Sequence, residues 1–239
     1  FFPIVAYDMY EKIGIKKIEE LIANGNIAGV MIVNREYFSD IDHYLKDLQI
    51  PHIYMHYFNR NSSEEINIID VNHVVGGFVA TKHLLNLGHR KILAVTSPGR
   101  EFKDRTTGFK RAMKDAGMDL SENDIISIEH NYDAGYEFAR DHRLFINRYS
   151  AVFVENDLAA IGFINALQDA GLKVPGDISV IGYDDIDAGR LCRPALTTVR
   201  QPVRDLAKAG IKRITDIIAT GDTSQLQTYI QPKLVIRGS

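Results

Sequence analysis

Short apolar, β-branched runs alternate along this chain with longer stretches whose apolar residues recur at helical spacing, the pattern of successive βα units around a parallel sheet. The runs Ile4–Ala6, Gly29–Val33, His52–Met55, Ile66–Ile69, Ile92–Thr96, Ile125–Ile128, Ala151–Val154 and Ser179–Tyr183 read as strands. Helices are predicted over Ile13–Asn24, Ile41–Leu48, Val74–Leu87, Arg105–Ala116, Asp133–Phe145, Asp157–Ala170 and Val203–Ala219, with a final extended run at Pro232–Ile236. Gly25, Gly88, Gly117 and Gly171 each follow a helical pattern, where a residue at ease with positive φ closes the last turn. The class is α/β.

At 239 residues the chain has room for one large domain or two of roughly 100 to 150 residues. An apolar share of 45% against 25% charged residues suffices for a core and excludes bulk disorder. The formal charge of −3 leaves no basic field with which these residues alone would hold a nucleic-acid backbone. The single cysteine, Cys192, excludes internal disulfides and a multi-cysteine zinc site, and sits comfortably with a reducing compartment. Apolar runs such as Ala28–Val33 are far too short to span a bilayer. The start, Phe1-Phe2-Pro3-Ile4, carries neither a methionine nor a leader pattern and reads as an excerpt.

With no long linker, two lobes would be joined by short extended crossings, for which Thr96–Gly99, Thr197–Gln201 and Leu226–Tyr229 are the candidates. Several such crossings restrict relative motion to a hinge.

No Gly-x-Gly-x-x-Gly follows a strand, and there is no phosphate-cradling Gly-x-x-x-x-Gly-Lys, no His-Glu-x-x-His and no Gly-x-Ser-x-Gly. His52 and His56 are four apart, but on an extended segment, where such residues do not converge on a metal. No cofactor and no metal is expected.

Ligands of open parallel sheets bind beyond the carboxyl ends of the strands. Those ends carry Asp8, Asn34 with Arg35, Phe102 with Arg105, His130 with Tyr132, Asn156 with Asp157, and Asp184 with Asp185. Carboxylates accept from hydroxyls, a guanidinium donates as a planar fork and rings cover an apolar face, so the set suits a neutral, hydroxyl-rich or heterocyclic ligand. It is a recognition set without an evident nucleophile and base. Asp157 also suits a helix N-cap, and Asp185 a turn. Arg105 is read as opening a helix, where the dipole disfavours a cation; that misplacement points to function.

The segment Val174-Pro175-Gly176-Asp177-Ile178-Ser179-Val180-Ile181-Gly182-Tyr183-Asp184-Asp185, followed by Pro194-Ala195-Leu196-Thr197-Thr198-Val199-Arg200-Gln201-Pro202, closely resembles the effector-binding domain of LacI/GalR-family bacterial transcription regulators. Further matches are His83-Leu84-Leu85 with Gly88-His89-Arg90-Lys91-Ile92, Arg105 with Gly108-Phe109, Asn156-Asp157 with Ala160-Ile161-Gly162, and Leu234-Val235-Ile236-Arg237. The resemblance implies a periplasmic-binding-protein-like fold of two doubly wound parallel-sheet lobes joined by three crossovers. Residues 1–97 with 200–226 would form the amino-terminal lobe, and 98–199 with 227–239 the other. A small-molecule effector, usually a sugar, would bind between the lobes to Arg105, Asn156, Asp157 and Asp184. His130 falls where an aromatic often stacks on the ligand, joined here by Phe102 or Tyr132, and Asn72 stands where the family commonly has an aspartate, with Asp70 nearby.

The same resemblance implies a homodimer, a cytoplasmic location, and operator binding through a helix-turn-helix domain ahead of this region, which these residues do not include. Because Ile4–Ala6 resembles the family's second strand, the first βα unit is expected further upstream. The reading is a sensor and not an enzyme. A solute-binding protein of a sugar transporter and a sugar-modifying enzyme on the same scaffold are the alternatives.

Overall fold

The structure is a computed structural model that describes residues 19–25, 27–33, 45–56, 67–222, 224 and 226–239. The expected strand Ile4–Ala6 and the candidate residues Asp8 and Asn34 lie outside the described residues. In chain order the elements are β1 (Val30–Val33), β2 (His52–Met55), β3 (Ile68–Val71), α1 (His73–Asn86), β4 (Ile92–Thr96), α2 (Arg100–Asp115), β5 (Ile125–Ser127), α3 (Tyr132–Asp141), α4 (Arg143–Ile146), β6 (Ala151–Val154), α5 (Asp157–Asp169), β7 (Ser179–Asp184), α6 (Asp187–Leu191), β8 (Thr197–Arg200), α7 (Val203–Thr220), β9 (Gln227–Ile230) and β10 (Lys233–Val235). No helix among the described residues is long and apolar enough to cross a membrane.

The chain divides into two compact units, Phe1–Val71 with Val203–Ile230, and Asn72–Pro202 with Gln231–Ser239. The first carries a parallel sheet in the order β1-β2-β3-β9. Side chains on a strand alternate between faces. Ile53, Met55, Ile69 and Val71 accordingly pack with Leu206, Ile214 and Ile217 of α7, while Ile32, Tyr54 and Ile68 pack with Leu45 on the other face.

The second unit has the order β10-β8-β7-β6-β4-β5, parallel except for the antiparallel pair β10 and β8. Leu93, Val95, Val152, Val154 and Val180 make one core with Phe138 of α3 and Phe163 of α5. Ala94, Phe153, Ile181 and Tyr183 make the other with Leu84 of α1 and Phe109 of α2. Two buried faces explain why these strands read as continuous apolar runs. Helices α1 and α2 touch backbone to backbone: a Cβ on Gly77 would lie 1.9 Å from the Arg105 carbonyl oxygen.

The division corrects the expected boundary at 97. Strand β4 pairs with β5 and β6, so α1 and β4 belong to the second unit and the first crossing falls at Val71/Asn72. Thr96–Gly99 therefore lies inside that unit, and Thr197–Gln201 is largely the strand β8. The second crossing follows Pro202 and the third follows Ile230. The pattern did not separate the sheets because β3 and β4 both read as buried strands; only their pairing partners distinguish them. Helix α2 begins at Arg100, more than a turn before the expected Arg105, with Gly99 at φ 129° ahead of it. The predicted helix Asp133–Phe145 breaks into α3 and α4, and α6 had no forecast.

Candidate functional site

The strand order of the second unit reverses at β4, with β5 on one side and β6 on the other. In open α/β sheets the crevice at such a reversal is where ligands are received. The carboxyl ends of β4 and β6 bring Thr96 and Glu155 there, α2 supplies Phe102, Arg105 and Thr106, and β7 supplies Tyr183 and Asp184.

Arg105 is the hub. It is 3% exposed, and its guanidinium lies 3.8 Å from the centre of the Tyr183 ring and 4.8 Å from that of Phe102. Such stacking suits a planar, weakly hydrated cation. Nη1 donates to the backbone carbonyl of Glu155, and Nη2 stands 3.5 Å from Asp184 Oδ1. Nε is buried without a hydrogen-bond partner.

Asp184 closes the cluster. Asn156 donates from Nδ2 to its Oδ2 at 2.8 Å, and Gln201 from Nε2 to its Oδ1 at 2.6 Å. Burial pushes the Asp184 carboxyl above its ordinary value, opposed by Arg105, Gln201 and Asn156. Its backbone has φ 120°, and Asp185 follows at φ 61°, conformations costly for non-glycine residues. Asp185 holds the turn in place: against the burial that would raise it, hydrogen bonds from Arg237 and Arg200 keep its carboxyl below the usual range.

The other expected site residues separate. The N-cap is Asn156, which accepts from Ala159 N at 3.1 Å, and not Asp157. Asp157 is fully buried; it accepts from Thr198 Oγ1 at 2.6 Å and from Ile186 N at 3.0 Å, and burial pushes its carboxyl up to about 6. Those bonds make it a brace between α5, β8 and the start of α6. Tyr132 accepts from Asn165 Nδ2 of α5 at 2.9 Å and stacks on Tyr136, which ties it to the α3/α5 pair. Asn72 caps α1 by accepting from Val75 N at 3.1 Å. The exposed His130 ring faces Phe102 at 5.6 Å, so these two do come together beside Arg105. The dipole reasoning for Arg105 fails, since it lies in the second turn of α2; burial and stacking are what mark it.

Sequence reasoning missed Glu155, Gln201 and Tyr183. Glu155 directly follows the apolar run Ala151–Val154, and a carboxylate so placed after a buried strand was legible. It is 1% exposed and accepts from Thr96 Oγ1 at 2.7 Å and Thr106 Oγ1 at 2.8 Å; burial pushes its carboxyl up to about 8. A groove of about 600 Å³ lined by Tyr136, His142, Phe145 and Asp169 shares no residue with this cluster.

A carboxylate, an amide, a guanidinium fork and rings at a strand reversal are the equipment of a small-molecule binding domain. The profile of the periplasmic binding protein-like domain matches residues 81–239. The HTH-type transcriptional repressor PurR of Photobacterium profundum is 34% identical over 226 residues, covering 92% of this chain and 66% of that protein. PurR of Haemophilus influenzae is 32% identical over 234 residues, covering 94% and 68%. The chain thus spans about two thirds of the length of the curated relatives it matches. Among solved structures, a regulatory protein of the LacI family from Chloroflexus aggregans superposes with a TM-score of 0.86 at 26% identity, covering 94% of this chain and 81% of that one. A LacI family transcriptional regulator from Enterococcus faecium with bound ribose gives 0.78 at 28% identity, covering 94% and 83%. The chain belongs to the periplasmic binding protein-like domain family. Within it, this is an effector-binding domain of the LacI/GalR transcription regulators.

Proposed function

We propose that this domain senses a small uncharged metabolite, a carbohydrate in the first instance, and that occupancy alters operator binding by a helix-turn-helix domain of the same protein. The protein would act as a cytoplasmic homodimer and would not transform its ligand. The observation that carries the reading is the pairing of a buried, ring-stacked Arg105 with Asp184 at the strand reversal. Arg105 and Asn156 supply donors, Asp184 accepts from ligand hydroxyls, and the exposed His130 ring, backed by the buried Phe102, offers a face to a pyranose or a flat heterocycle. The bound ribose of the Enterococcus faecium regulator supports a sugar.

Only a ligand that binds one state of the protein better than another shifts an equilibrium, with a coupling of typically ~1 to 3 kcal/mol. A thermal-shift screen of the full-length protein against sugars, sugar phosphates and nucleobases, followed by operator binding with and without each hit, tests the reading. A ligand that raises the melting temperature and changes operator affinity supports it. Turnover of the hit by the protein, or hits unaffected by Asp184→Asn, would end it.

A further inference from the structure

The buried carboxyl of Glu155 has no part in the recognition set above, yet it stands directly behind it. Its two oxygens bridge the end of β4, through Thr96, to α2, through Thr106, the residue next to Arg105. Its own backbone carbonyl receives Arg105 Nη1. Side chain and main chain of one residue thus fix both the helix that carries the arginine and the acceptor that orients its fork. The charged groups around this corner are Arg105 from α2, which acts on the Glu155 carboxyl, and Asp184 from the end of β7, which faces Arg105. Of these only Arg105 favours an ionised Glu155, and it already faces Asp184. The two threonine hydroxyls, which donate to the carboxyl, also favour its ionised form, and burial outweighs them.

We propose that Glu155 is the positioning residue of Arg105: its carboxyl ties the end of β4 to α2 through Thr96 and Thr106, its main-chain carbonyl takes Arg105 Nη1, and the fork is thereby held oriented for the effector. This rests on the effector-site reading above and extends it to pH, because burial raises the Glu155 carboxyl and its proton withholds a second negative charge from the guanidinium. Loss of the proton gives Arg105 a second, buried carboxylate to satisfy beside the half-buried Asp184, and effector binding weakens as pH rises. Burial puts that loss near pH 8, within reach of ordinary buffers.

The test follows the Arg105 side-chain nitrogens by NMR in the full-length protein labelled with ¹⁵N-arginine, assigned with Arg105→Lys, between pH 6 and 9.5. The wild-type Nε signal should move with a midpoint near 8. Glu155→Gln, a neutral isostere that keeps the bridge, should hold the low-pH position throughout, and Glu155→Ala should shift the signal at every pH. A flat wild-type signal, or a titration that survives in Glu155→Gln, overturns the proposal; a purely structural Glu155 gives the first of these. In parallel, D-ribose affinity is measured by calorimetry at pH 6.5 and 9. A wild-type affinity about tenfold weaker at pH 9, absent in Glu155→Gln, is the expected coupling, equivalent to one pKa unit. Equal affinities overturn it. Absence of ribose binding at both pH values counts against ribose as the effector alone, and the Arg105 signal then decides the role of Glu155.

Discussion

Gln201 Nε2 donates to Asp184 Oδ1 at 2.6 Å, so a residue lying just past the end of β8 touches the carboxylate that faces Arg105. Pro202, the next residue, is the last of the second unit before the chain passes to α7. A ligand hydroxyl that claims this oxygen competes directly with Gln201. We expect Gln201→Leu to leave the fold intact but to alter the ratio of effector affinity to operator response. Calorimetry and operator binding on the same variant measure this. A variant in which both change in step would show that Gln201 merely packs.

Asp184→Asn keeps the shape of the site and removes the charge opposite Arg105. Charge-assisted hydrogen bonds are worth about 1.5 to 3 kcal/mol, so effector affinity should fall by ~10- to 100-fold. Titration of the screened ligand into both proteins reads the difference; a change under threefold would remove Asp184 from the site.

Asp157→Ala should behave in the opposite way. It leaves Thr198 Oγ1 and Ile186 N without their acceptor and should destabilise the second unit by about 1 to 3 kcal/mol while effector affinity stays within about twofold. Urea unfolding and calorimetry together separate the two effects, and the reverse pattern would restore Asp157 to the ligand shell.

Gly77→Ala would place a methyl group 1.9 Å from the Arg105 carbonyl oxygen, which is main chain and cannot swing aside. Separating α1 from α2 should cost ~1 to 3 kcal/mol and displace Arg105. An unfolding midpoint equal to the wild type would show that the helices are not in backbone contact.

Stability should fall with rising pH on account of Glu155. Burial raises its carboxyl from 4.5 to about 8, so the native state keeps a proton that the unfolded chain has released. The contribution is fully present below about pH 4.5 and is lost as pH rises towards 8, at up to ~1.4 kcal/mol per pH unit. Glu155→Gln should flatten that part of the profile in urea titrations at pH 5, 6.5 and 8. Parallel profiles for the two proteins would contradict the burial of an ionisable group there.

The local pattern was sufficient for β4, β6 and β7, because each is buried on both faces and reads as a largely apolar run. Likewise Arg105, Asn156 and Asp184 were legible from their places after strands, and the glycines at positions 25, 88, 117 and 171 all have positive φ. Pairing was not legible, since nothing in the composition of β4 says whether it lies beside β3 or beside β6, and the unit boundary moved accordingly. Nor could adjacency along the chain tell Asp157, whose carboxyl turns inward to Thr198, from Asn156, whose amide turns towards Asp184. Sequence alone determined which residues stand at the carboxyl ends of strands, because strand periodicity is a local property of the chain. Which of those side chains converge was decided by tertiary structure, through contacts such as Arg105 to the Glu155 carbonyl that join residues far apart in sequence and depend on sheet order.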